Sequence, residues 1–229
     1  MTNLSISMTR TERTMGLIFI PIQIFLLPIL LVQGNLIFGN QLSEAQLNFA
    51  LFALDFICIT VIFRRFLWKS LHCALSAPWR LLRFAGAGIL LYWFGSFLVN
   101  YFIMTVYPDF SNVNDDSIQA LTQQNYQLMA IGTVLLVPVT EETLYRGVIF
   151  GSIYKRSRIL GYAVSALVFA ALHVIGYIGY FEPVHLALCF LQYIPAGLCL
   201  AWAYVMADTI WAPILMHIAI NQMGVLAMR

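Results

Sequence analysis

Long apolar runs separated by short polar connections dominate the pattern of this sequence. A run of about 20 apolar residues is long enough to cross the hydrocarbon core of a bilayer as a helix. Inside lipid every backbone N–H and C=O group must be paired within its own segment, so the pattern predicts helices. The predicted spans cover roughly residues 15–38, 46–63, 84–107, 126–154, 159–177, 185–206 and 210–227.

The composition agrees with a chain that lipid surrounds. Hydrophobic residues make up 61% of the sequence and charged residues 10%, whereas a soluble domain has about 25% charged residues. The predicted fold class is therefore all-α, a polytopic transmembrane bundle of about seven spans in the cell membrane. The net charge of +2 gives no reason to expect a nucleic-acid partner.

The first apolar run sets the predicted domain boundary. Arg10 and Arg13 precede this run, so residues 1–14 are predicted to form a cytoplasmic tail and residues 15–229 a membrane-embedded domain. The run is longer than the apolar core of a secretory signal peptide, and no small-residue cleavage pattern follows it. We expect it to be retained as an anchor.

The distribution of Lys and Arg predicts a cytoplasmic N-terminus, because cytoplasmic connections are enriched in these residues. Arg146 lies within a span, Arg229 lies on the opposite side, and the connections on that side are acidic. A short interfacial helix within 108–126 is left open. The basic residues on the predicted cytoplasmic side are Arg10, Arg13, Arg64, Arg65, Lys69, Arg80, Arg83, Lys155, Arg156 and Arg158.

Few ionisable residues lie within the spans, and such residues are candidates for function because burying them in lipid is costly. Glu142 and Arg146 are four residues apart in the fourth span, so they share a helix face and can pair. Glu141 points about 100° away and can face another partner. The alternative is an ion-paired helix end at the membrane surface. Asp55 stands alone in the second span, where we favour a structural polar contact.

Two further pairs have the same i, i+4 spacing, which places both members on one helix face. Phe169 can pack against His173 in the fifth span and limit its rotamers. His217 and Asn221 in the last span provide two donors that could hold a developing oxyanion. Both pairs could instead be hydrogen-bonded residues of an ordinary helix bundle.

The spacing along the spans predicts that these groups meet. Glu141 lies 14 residues before Lys155, and His173 lies 15 residues after Arg158. At 1.5 Å per residue, both are ~21–22 Å from the same turn. His217 is shallower unless its helix is tilted. We expect a polar cavity, open to the cytoplasm, between the fourth, fifth and last spans.

Taken together, these residues resemble the motifs of the CPBP family, the CAAX proteases and bacteriocin-processing enzymes also called Abi. The resemblance covers about residues 125–225. It implies an intramembrane endopeptidase that hydrolyses a peptide bond of a membrane-associated protein or peptide. The motifs are Glu141-Glu142-x-x-x-Arg146, Phe169-x-x-x-His173 and His217-x-x-x-Asn221.

The family motifs also imply a role for each matching residue. Glu141 and His173 would activate a water molecule, and His217 and Asn221 would stabilise the oxyanion. The remaining motif residues, Glu142 and Arg146, would hold the geometry of the site.

A metal is a second possibility for the same residues. The family is often described as metalloproteases, but the sequence lacks the HExxH pattern of soluble zinc peptidases. Glu141, His173 and His217 could still be three ligands of a catalytic zinc with one open position. We favour a mechanism without a cofactor, with a single divalent metal such as zinc as the alternative.

Two other functions remain open from the sequence. Buried acids and imidazoles are also typical of transporters with a proton or metal relay. The other is a non-catalytic scaffold or immunity protein that keeps the family fold without its activity.

Overall fold

The structure, a computed structural model, describes residues 4–228, and these residues form helices without a β-strand. The predicted all-α fold is confirmed. The helix that begins at Arg158 ends in a single 3-10 turn, Ile175–Tyr177. The helices are α1 (Arg10–Ile37), α2 (Glu44–Ile62), α3 (Arg64–Ser76), α4 (Pro78–Val106), α5 (Val113–Gln124), α6 (Tyr126–Tyr154), α7 (Arg158–Tyr177), α8 (Pro183–Ala207) and α9 (Trp211–Ala227).

Six helices in the described part are long and apolar enough to cross a membrane: α1, α2, α4, α6, α7 and α8. The predicted seventh span corresponds to α9, which is apolar but has 17 residues. Its length of about 25 Å is less than the typical 30 Å of a hydrocarbon core. The described helices therefore include six candidate spans of full length and one shorter apolar helix. Arg229, predicted to follow it on the opposite side, lies outside the described residues.

The basic connection between the second and third spans is a helix, α3, which the sequence analysis did not predict. Phe66, Leu67 and Ala74 are buried on one side of this helix, whereas Arg64 and Lys69 are exposed on the other. Because apolar residues recur at helical spacing among the charges, α3 can lie along the bundle with its cations in water.

The region left open at 108–126 contains α5. This helix begins after Asn112, whose side-chain oxygen accepts hydrogen bonds from the backbone N–H groups of Asn114 and Asp115. Such a cap satisfies donors that the first turn of a helix leaves unpaired. A short helix is thus present in this region.

The segment before α1 packs against the bundle. Leu4, Ile6 and Met8 are buried in the main hydrophobic core, and both the backbone N–H and the hydroxyl of Ser5 donate to the Asp208 carboxylate, at 2.8 and 2.5 Å. The described part of the predicted tail is therefore held against the protein. The first three residues of that tail lie outside the described part.

Helix α6 occupies the centre of the bundle. In the most apolar part of α6, 56% of residues are buried inside the protein, compared with 6% in α4. Helices α1, α2, α7 and α9 pack around it, and α8 lies between α4 and α7. The helix with the adjacent glutamates is therefore the one least exposed to lipid.

Two prolines follow widened helical turns. The π-helical turn Ile22–Leu26 ends two residues before Pro28, and Gly132–Leu136 ends two residues before Pro138. A proline ring cannot donate to the helix and clashes with the carbonyl four residues earlier. The wider turn relieves this conflict, so α1 and α6 continue through their prolines.

Candidate functional site

A buried charged cluster joins α6 to α9. Arg146 Nη1 donates to Glu142 Oε1 at 2.9 Å, and His217 Nδ1 lies 2.9 Å from the same oxygen. Glu142 and Arg146 are 0% exposed and His217 is 4% exposed. The predicted pairing of Glu142 with Arg146 is confirmed, and the carboxylate also holds the histidine of the third motif.

The environment of Arg146 explains how a guanidinium can lie inside a membrane bundle. Its second terminal nitrogen donates to the Gly197 carbonyl of α8 at 3.4 Å. Its carbon Cζ lies 4.4 Å from the centre of the Phe169 ring, over the face that attracts cations. A buried charge needs several such partners to offset the loss of water.

A third π-helical stretch, Thr143–Phe150, carries Arg146. Widened turns of this kind occur frequently at functional sites, because they turn side chains away from regular helical positions. Together with Gly132–Leu136, this stretch places irregular backbone on both sides of the adjacent glutamates.

Phe169 connects the three motifs. Its ring centre lies 4.5 Å from that of His173 and 5.9 Å from that of His217, in addition to its contact with Arg146. The predicted packing of Phe169 on His173 is confirmed. The Nδ1 atom of His173 is hydrogen-bonded to the Phe169 carbonyl at 2.8 Å, so the imidazole is fixed from its own helix.

Tyr193 of α8, which was not predicted from the sequence, covers the other face of His173. The two rings are stacked with centres 4.2 Å apart. The single hydrogen of the Tyr193 hydroxyl has two acceptors within reach, Asn112 Oδ1 at 3.2 Å and Asp115 Oδ1 at 3.3 Å. Burial raises the pKa of Asp115, although the hydrogen bond from Tyr193 and the nearby His173 partly offset this. A tyrosine in an apolar span carries no signal of such a role.

Glu141 faces a different part of the molecule. Its Oε2 atom is buried without a hydrogen-bond partner. The side chain lines a cavity of about 290 Å³ whose walls come from α1, α2, α6 and α7. Asp55 lines the same cavity and is within electrostatic range of Glu141. Asp55 was predicted to make a structural polar contact, because an isolated acid in an apolar span was the only signal in the sequence.

This cavity differs from the predicted one. The fourth and fifth spans line it as expected, but α9 contributes no residue. Successive residues of a helix point about 100° apart, so Glu142 faces α9 while Glu141 faces α1 and α2. Leu172 and Gly176 line the cavity beside His173. Glu141 and His173 are within electrostatic range of each other, without a hydrogen bond between them.

Asn221 is also directed at α6. Its Nδ2 atom donates to the Thr133 carbonyl at 2.8 Å, within the widened turn Gly132–Leu136. An amide nitrogen carries two hydrogens, so one donor of Asn221 remains for another acceptor. Both residues of the third motif, one turn apart in α9, therefore attach this helix to α6 through hydrogen bonds.

The hydrogen bonds of the two histidines assign their protons. Each Nδ1 atom lies against an oxygen that can only accept, the Phe169 carbonyl for His173 and the Glu142 carboxylate for His217. Each Nδ1 must therefore carry the hydrogen. In a neutral ring the Nε2 atom is then an acceptor, and it becomes a donor only in the imidazolium form.

The candidate metal ligands do not form a ligand cluster. Among residues 4–228, no group of three or more His, Cys, Asp or Glu side chains is placed to hold a metal ion. Glu141 lines the cavity, whereas His217 is bound to Glu142 on another side of α6. The arrangement of Glu141, His173 and His217 therefore does not fit a three-ligand zinc site.

The fold and the site define a polytopic helical membrane protein with a buried Glu–Arg–His cluster beside an acid-lined cavity. Residues 123–223 match the family model Rce1-like, described as type II CAAX prenyl endopeptidase Rce1-like. All three motifs lie within this match, which confirms that this region is similar to the CPBP proteases. At the level of the family, the match supports an intramembrane protease. No curated protein and no solved structure matches the chain.

Proposed function

We propose that the protein is an intramembrane endopeptidase that cleaves a membrane-associated protein or peptide. The observation that carries this proposal is the convergence of the three motifs, since Glu142 Oε1 binds both Arg146 and His217. Phe169 contacts the imidazoles of the second and third motifs. An ion-paired helix end at the membrane surface would not require residues from three helices.

Glu141 is the proposed general base. Its carboxylate takes a proton from a water molecule in the cavity, and the water oxygen attacks the carbonyl carbon of the scissile bond. The unpartnered Oε2 atom supports this role because it is free to accept that proton. Glu141 then passes the proton to the leaving amine as the C–N bond breaks, which restores its carboxylate.

His173 assists from α7. With its Nδ1 hydrogen bonded to the Phe169 carbonyl, its Nε2 atom is an acceptor that can orient the water toward the substrate. Phe169 and Tyr193 hold the imidazole between them. Hydrogen bonds of this kind are often long before substrate binds, so an electrostatic contact with Glu141 is sufficient in the free protein.

His217 and Asn221 are the proposed oxyanion donors: they lie outside the cavity, and His217 is within electrostatic range of His173, which borders it. Asn221 offers its second amide hydrogen, and His217 offers Nε2–H in its imidazolium form. Glu142 balances the charge of that imidazolium through Nδ1. Donors fixed in a water-poor site stabilise a developing negative charge more than they would in water. Glu142 and Arg146 hold this arrangement and take no part in proton transfer.

The substrate is proposed to reach the site from the membrane. The matched family model is described as a type II CAAX prenyl endopeptidase, and the substrate proposed for this protein is a protein or peptide held at the bilayer by any anchor. No cofactor is included in the proposal, and the separate positions of Glu141 in the cavity and His217 on Glu142 support this choice. Full activity in the presence of a chelator is the expected result.

The test is cleavage of a reporter peptide library by the full-length protein in liposomes. We expect Glu141→Gln and His173→Ala each to lower kcat by at least about 100-fold, the usual contribution of general acid–base catalysis. Glu182→Gln and His72→Ala are matched controls, because both residues are exposed and outside the site. Cleavage by Glu141→Gln at the rate of the controls would contradict the proposal.

A further inference from the structure

Four polar side chains of the cavity have a buried oxygen atom without a hydrogen-bond partner. The most buried are Asp55, which is 5% exposed, and Thr140, which is 3% exposed. A buried polar atom without a partner is unfavourable, and such atoms are rare in folded proteins. The four atoms are Gln23 Oε1, Asp55 Oδ1, Thr140 Oγ1 and Glu141 Oε2.

These atoms share a chemical character. The oxygens of Gln23, Asp55 and Glu141 can accept hydrogen bonds, and the hydroxyl of Thr140 can accept or donate. They come from α1, α2 and α6 and meet in one cavity. A site with this lining suits an occupant that carries several hydrogen-bond donors.

The charge of the side chains that line the cavity indicates which kind of group can bind there. Asp55 and Glu141 are acidic and interact electrostatically, and no Lys, Arg or His is among the described residues that line the cavity. Water would satisfy the acceptors but would bring no compensating charge. A cation would satisfy the acceptors and also compensate the charge, since a positive charge in a low-dielectric site stabilises two nearby carboxylates.

The remaining walls suit the stem of a long cationic side chain. Leu51, Phe52 and Leu172 contribute apolar surface, against which the methylene groups of Lys or Arg pack well. The cavity volume of about 290 Å³ is close to the lower end of small-ligand pockets. Arg in particular has five N–H donors on a planar group.

We propose that the cavity is a specificity pocket that binds a Lys or Arg side chain of the substrate, with Asp55 as its counter-charge. This inference rests on the proposed function. Because Asp55 and Glu141 line the same cavity, the cationic residue directly flanks the cleaved bond. Gln23 and Thr140 complete the hydrogen bonds of the cation, and Glu141 keeps its place beside the water.

The test compares membrane-anchored peptides that differ only at the residues flanking the cleaved bond. Arginine is compared with citrulline, which has the same shape without the charge, and Lys with norleucine. We expect the wild-type protein to prefer Arg over citrulline by at least about tenfold in kcat/KM, since removal of one partner of a buried charge pair is costly. In Asp55→Asn this ratio falls to about one. Asp109→Asn, an exposed acid outside the cavity, keeps the wild-type ratio.

A binding measurement makes the inference testable without catalysis. Hexylguanidinium should raise the unfolding temperature of the detergent-solubilised protein, whereas the neutral hexylurea should not, and Asp55→Asn should lose the difference. Equal cleavage of Arg and citrulline peptides, or an equal loss of both in Asp55→Asn, would overturn the specificity pocket but not the peptidase. Binding of hexylguanidinium through Asp55 without any cleavage would overturn the peptidase but not the cation site.

Discussion

Glu141 and Glu142 are adjacent in sequence but lie in different surroundings. Glu142 is enclosed by Arg146 and His217 and has no exposed surface. Glu141 is directed into a cavity that it shares with another acid, Asp55. A helix turns about 100° per residue, so neighbouring carboxylates can be given separate tasks. One holds the site together, and the other is free for chemistry.

The role of Glu142 can be measured as stability. Glu142→Gln removes the charge that compensates Arg146, so it should lower the free energy of unfolding by about 3–5 kcal/mol, as expected for a broken buried pair. Denaturant titration in detergent gives this value. Arg146→Met should cost a similar amount, and the double variant should cost less than the sum, because the two residues share one interaction.

Glu182→Gln provides the comparison for this stability measurement. Glu182 is exposed and makes no side-chain cap to α8, so its substitution should change stability by less than about 0.5 kcal/mol. If Glu142→Gln unfolded at the same denaturant concentration as this control, the buried pair would not stabilise the fold.

Contacts within a helix could be predicted from the sequence better than contacts between helices. The pairs Glu142–Arg146 and Phe169–His173 follow from i, i+4 spacing, and both are present. The hydrogen bond of His217 with Glu142 spans 75 residues, and spacing carries no information about it. Tyr193 was not predicted, and Asp55 was interpreted as a structural polar contact, because the neighbours of both residues lie on other helices.

The distance between helices α7 and α8 determines how tightly the helices around the site can pack. A Cβ atom on Gly197 would lie 2.6 Å from Ala166 Cα, closer than real atoms approach. Backbone atoms of a packed helix cannot move aside as a flexible side chain can. The same Gly197 supplies the carbonyl that accepts from Arg146, so helix packing and the charged cluster are coupled.

Gly197→Ala should therefore separate α7 from α8 and destabilise the protein by about 1–3 kcal/mol, the usual cost of overpacking. Activity should fall as well, because the Gly197 carbonyl moves away from Arg146. Thermal unfolding and peptide cleavage measure the two effects.

Gly86→Ala is the matched control for the helix-packing prediction. No atom lies within 4 Å of a Cβ at Gly86, and alanine favours a helix by up to about 1 kcal/mol over glycine. This variant should be neutral or slightly stabilised. If both variants behaved alike, close packing at Gly197 would not matter.

The spans could be predicted because a long run of apolar residues is a strong signal. The short helices were harder to predict. Helix α3 is a basic connection whose buried Phe66 and Ala74 are too few to form a long apolar run. The widened turns before Pro28 and Pro138 depend on the local conflict of each ring with the backbone. The pattern of apolar residues predicts neither helix α3 nor the widened turns.

The depth of the site in the bundle indicates the side from which substrate and water enter. Helix α7 has 20 residues, and His173 lies four residues before its end at Tyr177. At 1.5 Å per residue it is ~6 Å from that end and ~22 Å from Arg158. Tyr193 further links His173 to Asp115 of α5. The site is therefore nearer to the α5 side than to the basic connections.

This position conflicts with one of the sequence predictions. If the basic connections are cytoplasmic, α5 lies on the opposite side, and the predicted opening of the cavity to the cytoplasm requires water to cross most of the bundle. We expect the orientation to hold, because the bias in Lys and Arg is strong. The cavity should then be reached from the α5 side.

Single cysteines in a background without Cys58, Cys73, Cys189 and Cys199 can test both expectations. A membrane-impermeant maleimide should label Asp109→Cys in intact cells, and Arg156→Cys only after permeabilisation. Both positions are exposed, and the distribution of Lys and Arg predicts that they lie on opposite sides of the membrane. Gly176→Cys lines the cavity with open space around it, so it should react together with Asp109→Cys. If it reacted together with Arg156→Cys instead, the cavity would open beside the basic connections, and the depth of His173 would not indicate the entrance.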